Sequence, residues 1–148
     1  MKIIQICPSC GFPGVKVNEK AVIYNLRKSS VLNREVKCKW NACINPDCEC
    51  SYFSKGIEFT LADLVKPLFY KDKSEGVPIC YCSDLTRGEI KEAVMNGCRT
   101  IGEVQKFTKK NITGHCEKKN PLGKCCKQVF LRTIKDNIGV KTNKKQQL

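Results

Sequence analysis

Residues 76–90 read GVPICYCSDLTRGEI, and they decide how the rest of the chain divides. Cys80 and Cys82 stand one residue apart, directly ahead of a helix signal. Thr86 followed by Glu89 has the form of a capping box, in which a hydroxyl and a carboxylate reciprocally satisfy amides at a helix start. Ile90, Ala93 and Val94 then share one helical face, and Gly97 supplies a stop. In an extended segment residues i and i+2 project to the same side, so both sulfurs are expected to point at one ion. The amides that begin the helix are expected to face the negative charge of the site.

Downstream the pattern stays helical. TIGEVQKFT, residues 100–108, repeats the device with Thr100 and Glu103 and offers Ile101, Val104 and Phe107 as its apolar face. CKQVFLRTIKDNIG, residues 126–139, directs Val129, Phe130, Ile134 and Ile138 inward and is expected to end at Gly139. Between these helices, GHCEKKNPLGKCC supplies Cys116, Cys125 and Cys126. A [2Fe-2S] cluster needs two thiolates on each iron. A pair of helices that folds back would bring later cysteines to Cys80 and Cys82. Spacing alone also allows a zinc ion on the same sulfurs, and it leaves Cys125 and Cys126 equivalent.

Upstream, KDKSEG, residues 71–76, is polar, ends in glycine and reads as a linker. The segment before it carries short or alternating apolar runs, MKIIQI, AVIYNL and CSYFSKGIEF, which read as strands of a meander. The expected fold is therefore α+β: a small β-rich zinc-knuckle module over residues 1–73, a helical [2Fe-2S]-binding module over 74–140, and a frayed polar tail over 141–148.

The zinc expectation comes from CPSCG at residues 7–11, a C-x2-C turn with proline inside and glycine after it. Structural zinc takes four such ligands in a tetrahedron. Cys38, Cys43 and Cys48 offer the second pair in two registers of equal spacing. INPD between Cys43 and Cys48 is built of turn formers, whereas KWNA between Cys38 and Cys43 is not. The expected set is Cys7, Cys10, Cys43 and Cys48. Cys38 and Cys50 are left as free thiols or as a second soft-metal or redox pair.

The chain has 148 residues and 12 cysteines. The cysteines fall in local knuckles, no apolar signal segment precedes Cys7, and no run approaches the roughly 20 apolar residues of a membrane span. A reduced, cytoplasmic metalloprotein is expected rather than a secreted disulfide scaffold. Two four-thiolate centres would each carry a net −2, so the formal charge of +13 becomes +9. Lysines spread along the chain then read as a solvated face suited to an anionic partner, with nucleic acid disfavoured. His115 is the single histidine. It adjoins Cys116, is read as an exposed loop residue, and permits no Ser–His–Asp set. Cys98 reads as a buried filler and Trp40 as a core anchor. No hydrolytic site is expected.

Taken together, CYCSDLT, GCRTIGEVQKFTK, GHC and CC resemble the bacterioferritin-associated-ferredoxin-like [2Fe-2S] domain. With the CPxC opening, the knuckle CINPDCECSYF and NPLGKCC, residues 7–139 are similar to the N-terminal region of CopZ-type copper chaperones. The resemblance implies one zinc and one [2Fe-2S] cluster, with Cys80, Cys82, Cys116 and Cys126 as cluster ligands. It implies one-electron transfer in metal homeostasis, including reduction of Cu(II) to Cu(I). The implied partners are a copper-binding chaperone domain or a copper-transporting ATPase, together with an electron-donor protein. Such chaperones continue into a domain carrying M-x-C-x-x-C. That motif does not occur in these residues, so direct copper delivery by them is not expected.

Overall fold

The computed structural model describes residues 4–32, 38–111 and 113–146, with side chains described as far as Gly139. Two compact units result. One joins Met1–Lys73 to His115–Lys124, and the other joins Ser74–Gly114 to Cys125–Leu148.

In the first unit β1 (Val15–Val17), β2 (Trp40–Ala42), β3 (Cys50–Ser54) and β4 (Ile57–Thr60) form an antiparallel sheet in sequence order, a meander. The β3–β4 hairpin turns through Gly56 at φ +79, a conformation that favours glycine. Helices α1 (Glu19–Asn25) and α2 (Lys28–Val31) lie between β1 and β2. The strand expected at AVIYNL is instead α1. Asn18 caps it by accepting from the Ala21 amide at 2.7 Å, and Ala21, Val22 and Asn25 bury one helical face. The β-branched Val22 and Ile23 suggested a strand, but the cap and the packing outweigh that preference. Of the other expected strand, MKIIQI, residues 1–3 lie outside the described residues, and the rest contributes only a bridge from Ile6 to Pro13.

Trp40, Ala42, Tyr52 and Phe59 form a dry core with Val17, Ala21, Val22, Leu26, Leu64 and Leu68. Trp40 lies 5.4 Å from Phe59, centroid to centroid, and is the anchor the sequence indicated. The neighbouring strand positions face the other way, where Phe53 packs among cysteines.

Residues 115–124 were expected in the helical module, yet they belong to the first unit. The reason is local bonding to α5 (Cys116–Lys119) and the turn after it. The Asn18 side chain donates to the Glu117 carbonyl at 3.0 Å, and the Tyr52 hydroxyl donates to the Pro121 carbonyl at 2.5 Å.

The second unit is not purely helical. Strands β5 (Pro78–Cys80) and β6 (Leu85–Thr86) pair antiparallel ahead of α3 (Arg87–Met95), α4 (Ile101–Thr108) and α6 (Lys127–Gln146). Both capping residues work as read: Thr86 and Thr100 accept from the amides of Glu89 and Glu103. Ile90, Ala93, Val94, Val104, Phe130 and Ile134 are buried. Phe107 is 44% exposed, so the buried face of α4 is narrower than the pattern implied. Helix α6 runs through Gly139 to Gln146, because Gly139 does not take the left-handed conformation and the residues after it are mainly lysine, glutamine and other helix-tolerant types. The expected polar tail is thus helical to Gln146, and residues 147–148 lie outside the described residues.

KDKSEG is fastened at both ends within its own units. Lys71 belongs to the first. In the second, the Ser74 carbonyl accepts from Arg87, the Glu75 carbonyl accepts from the Gly88 amide, and the Glu75 carboxylate lies 2.8 Å from Lys91. Among the described residues no helix is long and apolar enough to cross a membrane.

Candidate metal centres

The CPSCG turn closes with the Gly11 amide on the Cys7 carbonyl, at 2.9 Å, and Gly11 takes φ +79. The NPD turn closes with the Cys48 amide on the Asn45 carbonyl and the Asp47 amide on the Asn45 side chain, both at 3.1 Å. These two turns bring four sulfurs together. Cys7 and Cys48 are 3.9 Å apart, Cys10 and Cys43 are 3.7 Å apart, and all four lie within 4.8 Å of one another. A tetrahedral ion with metal–sulfur bonds of about 2.3 Å has sulfur–sulfur edges of about 3.8 Å, so the set fits zinc.

The surroundings suit thiolates. The Cys50 amide donates to the Cys48 sulfur at 3.4 Å. Lys71 Nζ donates to the Cys48 and Cys50 carbonyls at 2.7 and 2.6 Å, which brings a positive charge to the site. The Phe12 amide pulls the Cys10 thiol down to about 6, while burial pushes Cys43 up to about 12 and also raises Cys48. An ion is what makes four close thiolates compatible with this burial. The two leftover thiols part company. Half-buried Cys38 packs against the Trp40 core, and Cys50 joins the sulfur cluster.

In the second unit the sulfurs of Cys80 and Cys82 are 3.4 Å apart. An extended strand would separate residues i and i+2 by about 6.6 Å. Instead β5 ends at Cys80, and a turn over Tyr81–Asp84, with Asp84 at φ +61, folds Cys82 back. Lys110 Nζ donates to the Asp84 carbonyl at 2.9 Å and to Glu89 at 2.8 Å, and the Thr113 hydroxyl donates to the Cys82 carbonyl at 3.2 Å. Cys126 is buried beside Cys80, and its hydrogen bond is the main cause that pulls the Cys80 thiol down to about 5, with further bonds from the Ser83 hydroxyl and amide. The Ser83 hydroxyl is otherwise buried without a hydrogen-bond partner. Cys80 and Cys82 are both buried.

The helix amides do not serve the site in the way the sequence suggested. The Arg87 and Gly88 amides go to the Val77 and Glu75 carbonyls, and the Glu89 amide goes to Thr86. In the second unit the cysteine at a helix start is Cys126, whose carbonyl accepts from the Phe130 amide of α6 at 2.8 Å. Cys116 opens α5 in the first unit and is half-buried. His115 before it is exposed and makes no capping bond, Cys125 is exposed, and Cys98 is buried with its thiol directed at the Glu103 carbonyl.

Comparison with known families now bears on these sulfurs. Residues 4–66 match the CopZ zinc-binding domain, and residues 78–129 match the BFD-like [2Fe-2S]-binding domain. The two matched regions follow one another along the chain, the zinc-binding match first and the [2Fe-2S]-binding match second. Among curated proteins the chain is 28% identical, over 128 residues, to the copper chaperone CopZ of Archaeoglobus fulgidus. That match covers 81% of this chain and 57% of the relative, so the chain spans little more than half the relative's length. Among solved structures, the X-ray structure of the A. fulgidus CopZ N-terminal domain shares the fold, with a TM-score of 0.71 at 24% identity. It covers 86% of this chain and 96% of that domain. The cofactors of this chain are accordingly zinc and a [2Fe-2S] cluster. Lys71, Ser83 and Glu58 escaped the sequence reading, because none carries a spacing signal.

Proposed function

We propose that this metal-binding chain acts in copper handling as a one-electron carrier that reduces Cu(II) to Cu(I) for a thiolate-bearing acceptor. The observation that carries the proposal is the union in one chain of a closed tetrathiolate and a separate cysteine set matched by a [2Fe-2S] family. Cys7, Cys10, Cys43 and Cys48 are the proposed zinc ligands. Four thiolates leave no position for substrate, so this zinc holds the fold. Cys80, Cys82, Cys116 and Cys126 are the proposed cluster ligands, as the family resemblance implies. When bound, a [2Fe-2S] cluster supplies a one-electron couple.

The residues around the second set have definable tasks. Burial of Cys80, Cys82 and Cys126 excludes water from their sulfurs. Lys110 and Thr113 hold the turn that carries Cys82. Thiolates prefer Cu(I), and exposed Cys125 offers one for the product. The net positive charge favours an acidic partner, and the encounter weakens with salt. A copper-binding chaperone domain or a copper-transporting ATPase fits that description, with a reducing protein as electron donor and the cytoplasm as the compartment.

The test is anaerobic. Reduced, desalted protein is mixed with one equivalent of Cu(II) and a Cu(I)-specific chelator. Cu(I) formed is expected to match the electrons lost from the visible chromophore, about one to one, and to fall sharply in Cys82→Ser. Equal Cu(I) from both proteins would assign the reduction to free thiols and leave a metal-carrier role.

A further inference from the structure

Five thiols, not four, meet on the sulfur side of the first unit's sheet: Cys7, Cys10, Cys43, Cys48 and Cys50. A tetrahedral ion uses four of them. The fifth arrives through a distortion of its strand. Ser54 pairs with Ile57 and Phe53 with Glu58, but Cys50 pairs with Thr60, so β3 holds one extra residue between Cys50 and Phe53. In a regular strand Cys50 would share the face of Tyr52, which lies in the Trp40 core. The bulge turns Cys50 to the opposite face, against Cys7, and bulges re-aim side chains in this way. Glu58, opposite Phe53, stands on that same side. The Cys7 sulfur, the Cys50 sulfur and a Glu58 carboxylate oxygen all lie within 4.8 Å of one another. The Ser9 hydroxyl, from the CPSC turn, donates to the Glu58 carboxylate and orients it.

We propose that Cys7, Cys50 and Glu58 form a second metal position that shares the Cys7 sulfur with the tetrathiolate and takes a thiophilic divalent cation such as Zn2+ or Cd2+. The proposal rests on the assignment of Cys7, Cys10, Cys43 and Cys48 to the first zinc. Two thiolates and a carboxylate are the ligands a borderline divalent ion prefers. Three protein ligands leave the fourth position to water or to an incoming thiolate, unlike the closed set beside it. Cys7 and Cys50 are 2% and 1% exposed, whereas Glu58 is half-exposed, so the cation reaches the sulfurs from the carboxylate side.

The charges balance. The first ion with four thiolates carries −2. A second divalent ion enters together with the Cys50 thiolate and the Glu58 carboxylate and adds no net charge, while one proton leaves Cys50 for solvent. Without that ion, the Glu58 carboxylate faces the anionic cluster, held by the Ser9 hydroxyl. The position is one where an ion is loaded or handed on beside a structural zinc that stays in place.

The test uses the full chain with Cys38 and Cys125 replaced by serine, so that these outlying thiols do not bind the probe. Protein is equilibrated with excess 113Cd2+, freed of loose metal, and read by metal analysis and 113Cd NMR. Two cadmium ions per chain are expected at the sulfur cluster, with two resonances split by each other through the shared Cys7 sulfur. Cys50→Ala should retain one ion and give one unsplit resonance. Ser9→Ala, which frees the carboxylate, should weaken the second ion about tenfold or more while sparing the first. One resonance before any change at Cys50, or two in Cys50→Ala, overturns the proposal. Loss of all cadmium in Cys50→Ala would also overturn it, by making Cys50 a ligand of the single ion. If Cys48→Ser leaves the first ion in place, the tetrathiolate assignment fails instead, which separates the two failures.

Discussion

Cys38, Cys43 and Cys48 are evenly spaced, so the sequence admits two zinc registers, and local turn chemistry decides between them. The Asn45 side chain and carbonyl close the NPD turn onto Asp47 and Cys48, while Cys38 packs in the apolar core. Cys38→Ser is therefore expected to leave zinc content unchanged, and Cys48→Ser to lose it, as measured by metal analysis of purified protein. The reverse pattern would assign zinc to the other register. Ser83 is a different case, since nothing in its spacing marks it. Its buried hydroxyl meets the Cys80 sulfur and is otherwise without a hydrogen-bond partner. A hydrogen bond to a ligating sulfur favours the reduced, more negative state of a cluster. Ser83→Ala removes about 1 kcal/mol of that preference, so the midpoint potential should fall by about 40 mV with iron content unchanged. An unchanged potential would make Ser83 merely structural. Residues of this kind are invisible in a sequence because their role depends on which side chain a turn happens to bring near.

At the scale of elements, the capping box of α3 and the Thr100 cap of α4 are legible because each is written within four residues. The segment AVIYNL is not, because its helix depends on a cap at Asn18 and on burial against strands far along the chain. The bulge at Cys50 is likewise a property of pairing, and one strand alone does not encode it. The capping box of α3 carries a pH signature. Burial opposes the charge on Glu89, but Lys110 and Thr86 outweigh it and hold the carboxyl below its usual range. A depressed folded pKa gives stability that is complete above the unfolded value of about 4.3 and is lost as pH falls through the folded value. With Lys110 and Glu89 each about a third exposed, solvent screening limits the pair to roughly 0.5–1 kcal/mol. Glu89→Gln should therefore unfold at lower urea than the parent at pH 7. The gap should narrow as pH falls below about 4.3. A gap independent of pH would mean that the amide caps the helix equally well and that charge contributes nothing.

For the molecule as a whole, the first unit has a core of Trp40, Tyr52, Phe59 and the α1 face, which the sequence hides because the α1 segment reads as a strand. The sulfur cluster is thus a second centre of cohesion beside a dry core. Its four proposed zinc ligands lie in the first unit, as does Cys116 of the proposed cluster set, whereas Cys80, Cys82 and Cys126 lie in the second. Freshly purified protein should carry about two iron and one zinc per chain, if each family-matched centre is filled as its chemistry requires. Cys82→Ser should then lose its iron and visible colour, keep its zinc, and keep the near-ultraviolet signal of Trp40, which reports the first unit's core. The decisive outcome is the zinc. If it leaves together with iron while the secondary structure survives, the two centres are not independent and the division of labour between a structural zinc and a redox cluster fails. If it stays, the tetrathiolate holds its metal without the cluster, an outcome that two closed turns with sulfur–sulfur distances of 3.7 and 3.9 Å favour.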